Sequence, residues 1–509
     1  MKKTVGIAVT LLLSASIVLP LGCSRRPDIT IGSKAFLESW ILGEVLCTLA
    51  RSSGALDVRH QENLGGTKIV YEALLGGDVD AYPEYTGTIS EVILKSTGRP
   101  TFTEMRQALA KDGVGMSDSF GFHNGYALAV TLSTQQKYDL HRISDLLAHP
   151  ALRLGLTHEF VGRRDGYPGL ASHYGLDMKH VRGIEHQLAY SAISSGQIDV
   201  MDVYTTDAQI KQLDLRLLED DRSFFPRYDA VLLYRLSLKE RASEALAAME
   251  RLTGKIDEAL MIRANARVMI EGQETREAAA ALLAEGFGAR AFSALPRKAL
   301  VGKRSIAGDI LWNTLHHLRL VGLSLLAAIL LGLPLGILAT RSRVLASITL
   351  SSAGLLQTIP SIALLGFLVP LLGIGVAPTL LALFLYSLLP IVRNTFTGLK
   401  TLSPGLLEAA EALGLRPGAQ LFLVRLPLAS PSIMAGIKTS AVINVGTATV
   451  AAFIGAGGLG DPILQGIHLS DTSLILQGAI PAAALALLVE LGFHQLDRVV
   501  IPRGLRLRK

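Results

Sequence analysis

A chain of 509 residues exceeds what one hydrophobic core can organise and implies at least two domains. Half of the residues are hydrophobic and 18% are charged, against about 25% charged in soluble domains. Charge is common up to Arg304 and scarce after it, so a soluble half is joined to a membrane half. The net charge of +6 does not point to nucleic acid, because no Lys/Arg run is interleaved with aromatic residues. The excess sits instead at Arg498, Arg503, Arg506, Arg508 and Lys509, where a membrane protein keeps basic residues on the cytoplasmic side. Two cysteines, Cys23 and Cys47, make no disulfide framework.

Lys2 and Lys3 ahead of an uncharged run over 4–22 have the layout of an export signal or a short membrane anchor. From 27 to 295 short apolar runs alternate with amphipathic stretches. Strands are predicted at 29–31, 56–60, 126–132, 152–156 and 200–204, with helices at 36–50 and 67–75. Strand–helix alternation predicts a mostly parallel α/β fold, and about 270 residues suit two lobes around a cleft. Ligands bind where strand ends open onto such a crevice. The Ala-, Glu- and Leu-rich tail at 238–287 reads as helices packed on the outside.

Beyond 305, charge-free runs are counted at about 20 residues per crossing. They predict five spans: 320–340, two within 344–392 (broken at 357–360 and turning at 373–378), 439–460 and 472–489. If the first span enters from outside, Arg341, Arg343, Arg393, Lys400, Arg416, Arg425 and the C-terminal cluster all fall inside. That orientation puts the loop over 397–432 in the cytoplasm and the α/β half outside, in agreement with an exported N-terminus. Within the loop, Ser403 and Pro404 mark a helix start, with Ser403 as its cap, and Gly414 marks its stop. Leu406, Ala409, Ala410 and Leu413 share one face of that helix.

Gly455, Gly457 and Gly460 satisfy G-x-G-x-x-G, but a dinucleotide site needs a βαβ unit, and here the flanks are membrane spans. A glycine hinge at the outer face is the better reading. The adjacent His316 and His317 point to different helix faces and lack a third ligand, so they read as interfacial polar residues, not a metal site. No G-x-x-x-x-G-K-[ST] occurs, so any ATP is bound by a separate subunit.

Glu408-Ala409-Ala410, Gly414 and Val424-Arg425-Leu426-Pro427 resemble the coupling loop of ABC-importer permeases. With the segments at 357–367, 389–395 and 446–460, the resemblance extends over 305–495 and narrows to permeases of glycine betaine/carnitine/choline importers. Residues 24–297 resemble the matching substrate-binding proteins through the segments at 32–34, 64–67, 83–88, 165–170 and 204–207. Leu21-Gly22-Cys23 resembles the end of a lipobox, with Cys23 as the lipidated residue, although Pro20 departs from the motif.

The resemblance implies a type II binding-protein-like α/β domain at 24–297, after a signal or anchor segment at 1–23. A type I all-α permease of about five spans would occupy 298–509. It implies no enzyme activity, no cofactor on this chain, an ATPase partner docking on Glu408, Ala409, Ala410, Gly414 and Pro427, and a homodimer of the membrane half. The location implied is the bacterial inner membrane, with the binding domain extracytoplasmic. The ligand class implied is a quaternary ammonium solute held in a tyrosine cage. Tyr85 and Tyr126 would form one side of the cleft, with Tyr204 and Tyr228 completing it. Lys34, Arg163 and Thr88 would hold a carboxylate tail, which favours betaines over choline. The residue types suit the task, since a trimethylammonium has no N–H to donate and is attracted by aromatic faces instead.

Overall fold

The computed structural model describes residues 27–54, 57–96, 98–288, 305–469 and 471–505. Cys23, the 1–23 segment and the C-terminal Arg506, Arg508 and Lys509 lie outside the described residues. The chain forms two compact units, one of Pro27–Lys303 with Gln465–Thr472, the other containing Arg304–Leu464 and Ser473–Lys509.

The first unit holds two five-stranded sheets. Strands β1 (Ile29–Gly32), β2 (Val58–Gln61), β3 (Ala81–Tyr85), β4 (Val114–Met116) and β10 (Ala230–Arg235) form lobe 1 in the order β2-β1-β3-β10-β4. Strands β5 (Tyr126–Thr131), β6 (Arg153–Thr157), β7 (His180–Ile184), β8 (Val200–Tyr204) and β9 (Leu215–Leu218) form lobe 2 in the order β7-β6-β8-β5-β9. The sheets are mixed. Four strands of each run in one direction and one runs against them: β10 is antiparallel to β3 and β4, and β5 is antiparallel to β8 and β9. The antiparallel strands arise where the chain passes between lobes, after β4 and again after β9. An isolated antiparallel bridge, His123 to Asp229, ties the two crossings together.

The helix Leu37–Ser52 is buried along almost its whole length, with Trp40, Ile41, Leu42, Val45 and Leu46 in the core. A helix covered on all sides is apolar on all sides, so its acids Glu38 and Glu44 need partners. Glu44 accepts from His60 Nδ1 at 3.0 Å, and His60 Nε2 bonds Ser33 Oγ at 2.9 Å. The tail helices include Glu258–Met269 and Thr275–Phe287. They contribute Met261, Ala264, Leu282 and Leu283 to the same core, so the tail is more than an outer layer.

In the second unit, Ile306–Ala339, Val376–Lys400, Pro417–Ile454 and Thr472–Val500 are long and apolar enough to cross a membrane. Arg343–Thr358 and Ser361–Leu372 meet at a 96° bend and make a fifth candidate. The bend falls at Pro360 and the following turn at Gly373 and Gly375, both with positive φ, within the predicted break and turn. The helices begin earlier than the charge-free runs predict. The helix Leu426–Thr447 contains Lys438, whose charge is met by Glu490 at 2.9 Å on Thr472–Val500. The polar connection expected over 397–432 is therefore narrower, since helix runs to Lys400 and the next span begins at Pro417. Likewise Ile306–Ala339 includes His316 and His317, which bond the carbonyls of Ala456 at 2.7 Å and Val445 at 2.9 Å. Backbones approach closely where side chains are absent: a Cβ on Gly436 would lie 2.6 Å from the Pro390 carbonyl oxygen.

Candidate functional site

Every residue proposed for ligand binding comes to one edge of the lobe sheets. Tyr85 ends β3, Tyr204 ends β8, and Lys34 and Arg163 follow β1 and β6 in the loop and helix beyond. Tyr126 begins β5 and Tyr228 precedes β10, the two antiparallel strands, so their starting ends lie beside the finishing ends of the parallel ones. This is the carboxyl-end crevice where α/β sheets bind ligands.

Lobe membership differs from the expected grouping of Tyr85 with Tyr126. Tyr126 pairs with Tyr204 on neighbouring strands of lobe 2, whereas Tyr85 pairs with Ala230, close to Tyr228, on lobe 1. The reason is the antiparallel entry of β5, which a linear reading does not reveal. Tyr126 is the hub. Its ring centroid lies 5.3 Å from that of Tyr204, 5.6 Å from Tyr228, 5.0 Å from Phe160 and 6.4 Å from Phe225. Phe36 bridges to lobe 1, 5.9 Å from Tyr204 and 6.1 Å from Tyr85.

The two cations assigned to a carboxylate tail already have carboxylate partners within the protein. Lys34 Nζ donates to Glu84 Oε1 at 2.5 Å and sits 5.0 Å from the Tyr85 ring. Arg163 grips Asp165 with Nε at 2.8 Å and a terminal nitrogen at 2.5 Å, and lies 5.6 Å from the Tyr126 ring. Thr88 Oγ1 accepts only a long contact from Arg163 at 3.5 Å. Asp165 also accepts the Tyr228 hydroxyl at 2.6 Å, and the Arg163 guanidinium overcomes the effect of burial to hold its pKa below the usual range. His186, 4.6 Å from the Tyr204 ring, pairs with Asp207 at 2.9 Å.

Sequence reasoning missed Glu38. Its Oε1 accepts from the Tyr85 hydroxyl at 2.5 Å and Asn124 Nδ2 at 2.9 Å, and its Oε2 from the Thr206 hydroxyl at 2.5 Å and Asn265 Nδ2 at 3.1 Å. Burial pushes its pKa up, against the pull of those hydrogen bonds. Phe36, Phe160 and Phe225 were missed as well. An acid within an otherwise apolar helix was the available signal for Glu38; the phenylalanines read as ordinary core residues.

In the second unit, the helix Pro404–Ala412 stands as predicted, with Pro404 at its first position. Ser403 makes no side-chain cap; only its carbonyl is used, by Leu406 N at 3.1 Å. Gly414 follows with φ +73°, and its N–H donates to the Glu411 carbonyl at 2.8 Å. Ala410 is buried while Glu408, Ala409, Leu406 and Leu413 are exposed, and Pro427 lies half-buried in the first turn of the next helix. The face expected to be uniform is thus split between one inward alanine and outward leucines.

A two-lobed binding domain in one chain with a multi-pass helical domain bearing such a loop defines a class: a receptor–permease component of an ABC importer. Residues 27–285 match the family model described as the substrate-binding domain of ABC-type glycine betaine transport systems. Residues 332–503 match the binding-protein-dependent transport system inner membrane component. The chain is 46% identical over 205 residues to the osmoprotectant import permease protein OsmW of Salmonella typhimurium, covering 39% of this chain and 95% of the relative. Identity to the choline transport system permease protein OpuBB of Bacillus subtilis is 41% over 199 residues, 39% of this chain and 92% of the relative. The ergothioneine transport permease/ergothioneine binding protein EgtU of Helicobacter pylori is 34% identical over 267 residues, 51% of this chain and 48% of the relative. The chain belongs to the glycine betaine-type ABC transport family and fuses the substrate-binding and permease components of an osmoprotectant importer. It is a multi-pass membrane protein that works with a separate ATPase on a small-molecule ligand.

Proposed function

We propose that the first unit captures a quaternary ammonium solute of the osmoprotectant class, glycine betaine among its candidates, and releases it to the membrane unit. The observation that carries this reading is the convergence of Tyr85, Tyr126, Tyr204 and Tyr228 with Phe36, from both lobes, on one sheet edge. Aromatic faces attract a desolvated quaternary cation by about 0.5–2 kcal/mol per ring. Choline and ergothioneine, named for two relatives, both carry a trimethylammonium group.

One permease domain per chain calls for a homodimer, since an ABC importer needs two such halves. The basic residues Arg341, Arg343, Arg393, Lys400, Arg416 and Arg425 favour a cytoplasmic side for the Pro404–Ala412 helix, which leaves the binding unit outside the cytoplasm. Glu408, Ala409, Ala410, Gly414 and Pro427 then meet the ATPase. The chain in nanodiscs should bind at least one of glycine betaine, carnitine, choline or ergothioneine in calorimetry. Absence of heat with all four would refute the reading.

A further inference from the structure

We infer that Thr206 is the bolt of an interlobe latch, caught by Glu38 and Asn265, that biases the receptor towards a closed cleft before any solute arrives. This rests on the two-lobed receptor reading of the first unit and on no choice of solute.

Thr206 follows β8 and so belongs to lobe 2. It is 1% exposed, and two of its polar groups are taken by side chains that lobe 2 does not supply. Its hydroxyl donates to Glu38 Oε2 at 2.5 Å, and its carbonyl accepts from Asn265 Nδ2 at 3.1 Å. Glu38 lies in the Leu37–Ser52 helix, which follows β1 of lobe 1, and Asn265 lies in the tail helix Glu258–Met269, which packs on that helix. Asn265 Nδ2 also donates to Glu38 Oε2 at 3.1 Å, so the three residues close a ring of bonds.

The turn that carries Thr206 is fixed to its own lobe. Asp207 N–H donates to the Tyr204 carbonyl at 2.9 Å, and Asp207 Oδ2 accepts the Tyr204 N–H at 2.9 Å. Thr205 N–H donates to the carbonyl of Gly125, which leads into β5, and Gly125 N–H donates back to Thr205 Oγ1 at 3.1 Å. Thr206 therefore cannot swing out alone. Drawing lobe 2 away takes it from both partners together and moves the Tyr204 ring with it. The other two donors of Glu38, the Tyr85 hydroxyl and Asn124 Nδ2, are spent on Oε1, so Oε2 would keep Asn265 alone. A buried carboxylate oxygen that loses a donor is costly. Arg164 of lobe 2 also reaches lobe 1, at Glu91 Oε2 2.7 Å away, but its side chain is 58% exposed. An exposed pair is screened and contributes little, so burial puts the stronger hold at Thr206.

The test is electron–electron double resonance on the full chain in nanodiscs without solute. Spin-labelled non-canonical residues replace the exposed Lys111 of lobe 1 and Lys211 of lobe 2. Wild type should populate the short lobe separation. Thr206→Val, which keeps the shape and removes the hydroxyl, should lower the short-to-long ratio by about tenfold. Asn265→Ala should lower it in the same direction, and Thr206→Ser, which restores the hydroxyl, should hold the wild-type ratio. A wild type with the long separation only, a ratio unmoved by Thr206→Val, or a larger shift for Arg164→Ala than for Thr206→Val overturns the inference. If Thr206→Val does not fold, Asn265→Ala set against Thr206→Ser decides. With no solute in the measurement, each of these outcomes leaves the quaternary ammonium reading as it stands.

Discussion

Tyr126 and Tyr204 stand directly opposite each other on β5 and β8, with ring centroids 5.3 Å apart at an interplanar angle of 44°. Cross-strand partners at this spacing form a unit, and further contacts with Phe160, Phe225 and Tyr228 make Tyr126 the best-connected ring of the cluster. Tyr85, by contrast, meets Phe36 and gives its hydroxyl to Glu38.

Ligand affinity should therefore fall further for Tyr126→Ala than for Tyr85→Ala. About tenfold or more is expected for the first, from the loss of one ring and the loosening of its neighbours. Titration of both variants with one quaternary ammonium ligand checks the order, and equal losses would show that the hub has no special weight.

Gly87 supports the same wall. A Cβ there would lie 2.4 Å from the Tyr228 ring, forcing the ring away and breaking its 2.6 Å bond to Asp165. Gly87→Ala should cost about 1–3 kcal/mol in stability and lower ligand affinity. Thermal unfolding and titration measure the two effects separately.

A pH dependence follows from the Glu44–His60 pair. Burial alone would lower the His60 pKa from 6.5, but Glu44 and Glu62 outweigh it and raise it to about 9. Burial would raise Glu44 from 4.5, yet His60 and Arg276 hold it at about 2. The raised His60 gives stability that is complete below pH 6.5 and lost as pH climbs towards 9. The depressed Glu44 gives stability that is complete above pH 4.5 and lost as pH falls towards 2. The pair is one interaction of roughly 2–3 kcal/mol seen from both ends. Its contribution should be greatest between these limits, and His60→Gln should abolish this pair's share of the alkaline loss in a thermal-unfolding pH series.

Gly414 adopts φ +73° beyond the Pro404–Ala412 helix, and a Cβ there meets open space. Substitution therefore acts through backbone strain, about 1–2 kcal/mol for a residue with a side chain. Gly414→Asp should leave membrane insertion intact while weakening co-purification of the ATPase and solute uptake. Wild-type levels of both would remove the coupling role from this turn.

Much of the fold is legible in the amino-acid order because burial imposes local periodicity. Strands β1 and β8 read as apolar runs, and the bend at Pro360 and the turn at Gly373 carry their own backbone chemistry. Span starts were hidden wherever a polar residue is satisfied from afar, as Lys438 is by Glu490 and His317 by the Val445 carbonyl. The Gly455–Gly460 stretch and the His316-His317 pair, unrelated on paper, meet in space: Leu459 N lies 3.4 Å from His317 Nδ1.

The sequence by itself determined which residue types stand at the sheet edge: four tyrosines, a lysine and an arginine. Only the tertiary structure decided which of them neighbour one another, and which charges are already neutralised. Lys34 finds Glu84 fifty positions on, and Glu38 finds Asn265 at a separation of 227. Local order encodes which face of a strand or helix is buried, whereas pairing across the cleft depends on strand order and on the two crossings between lobes.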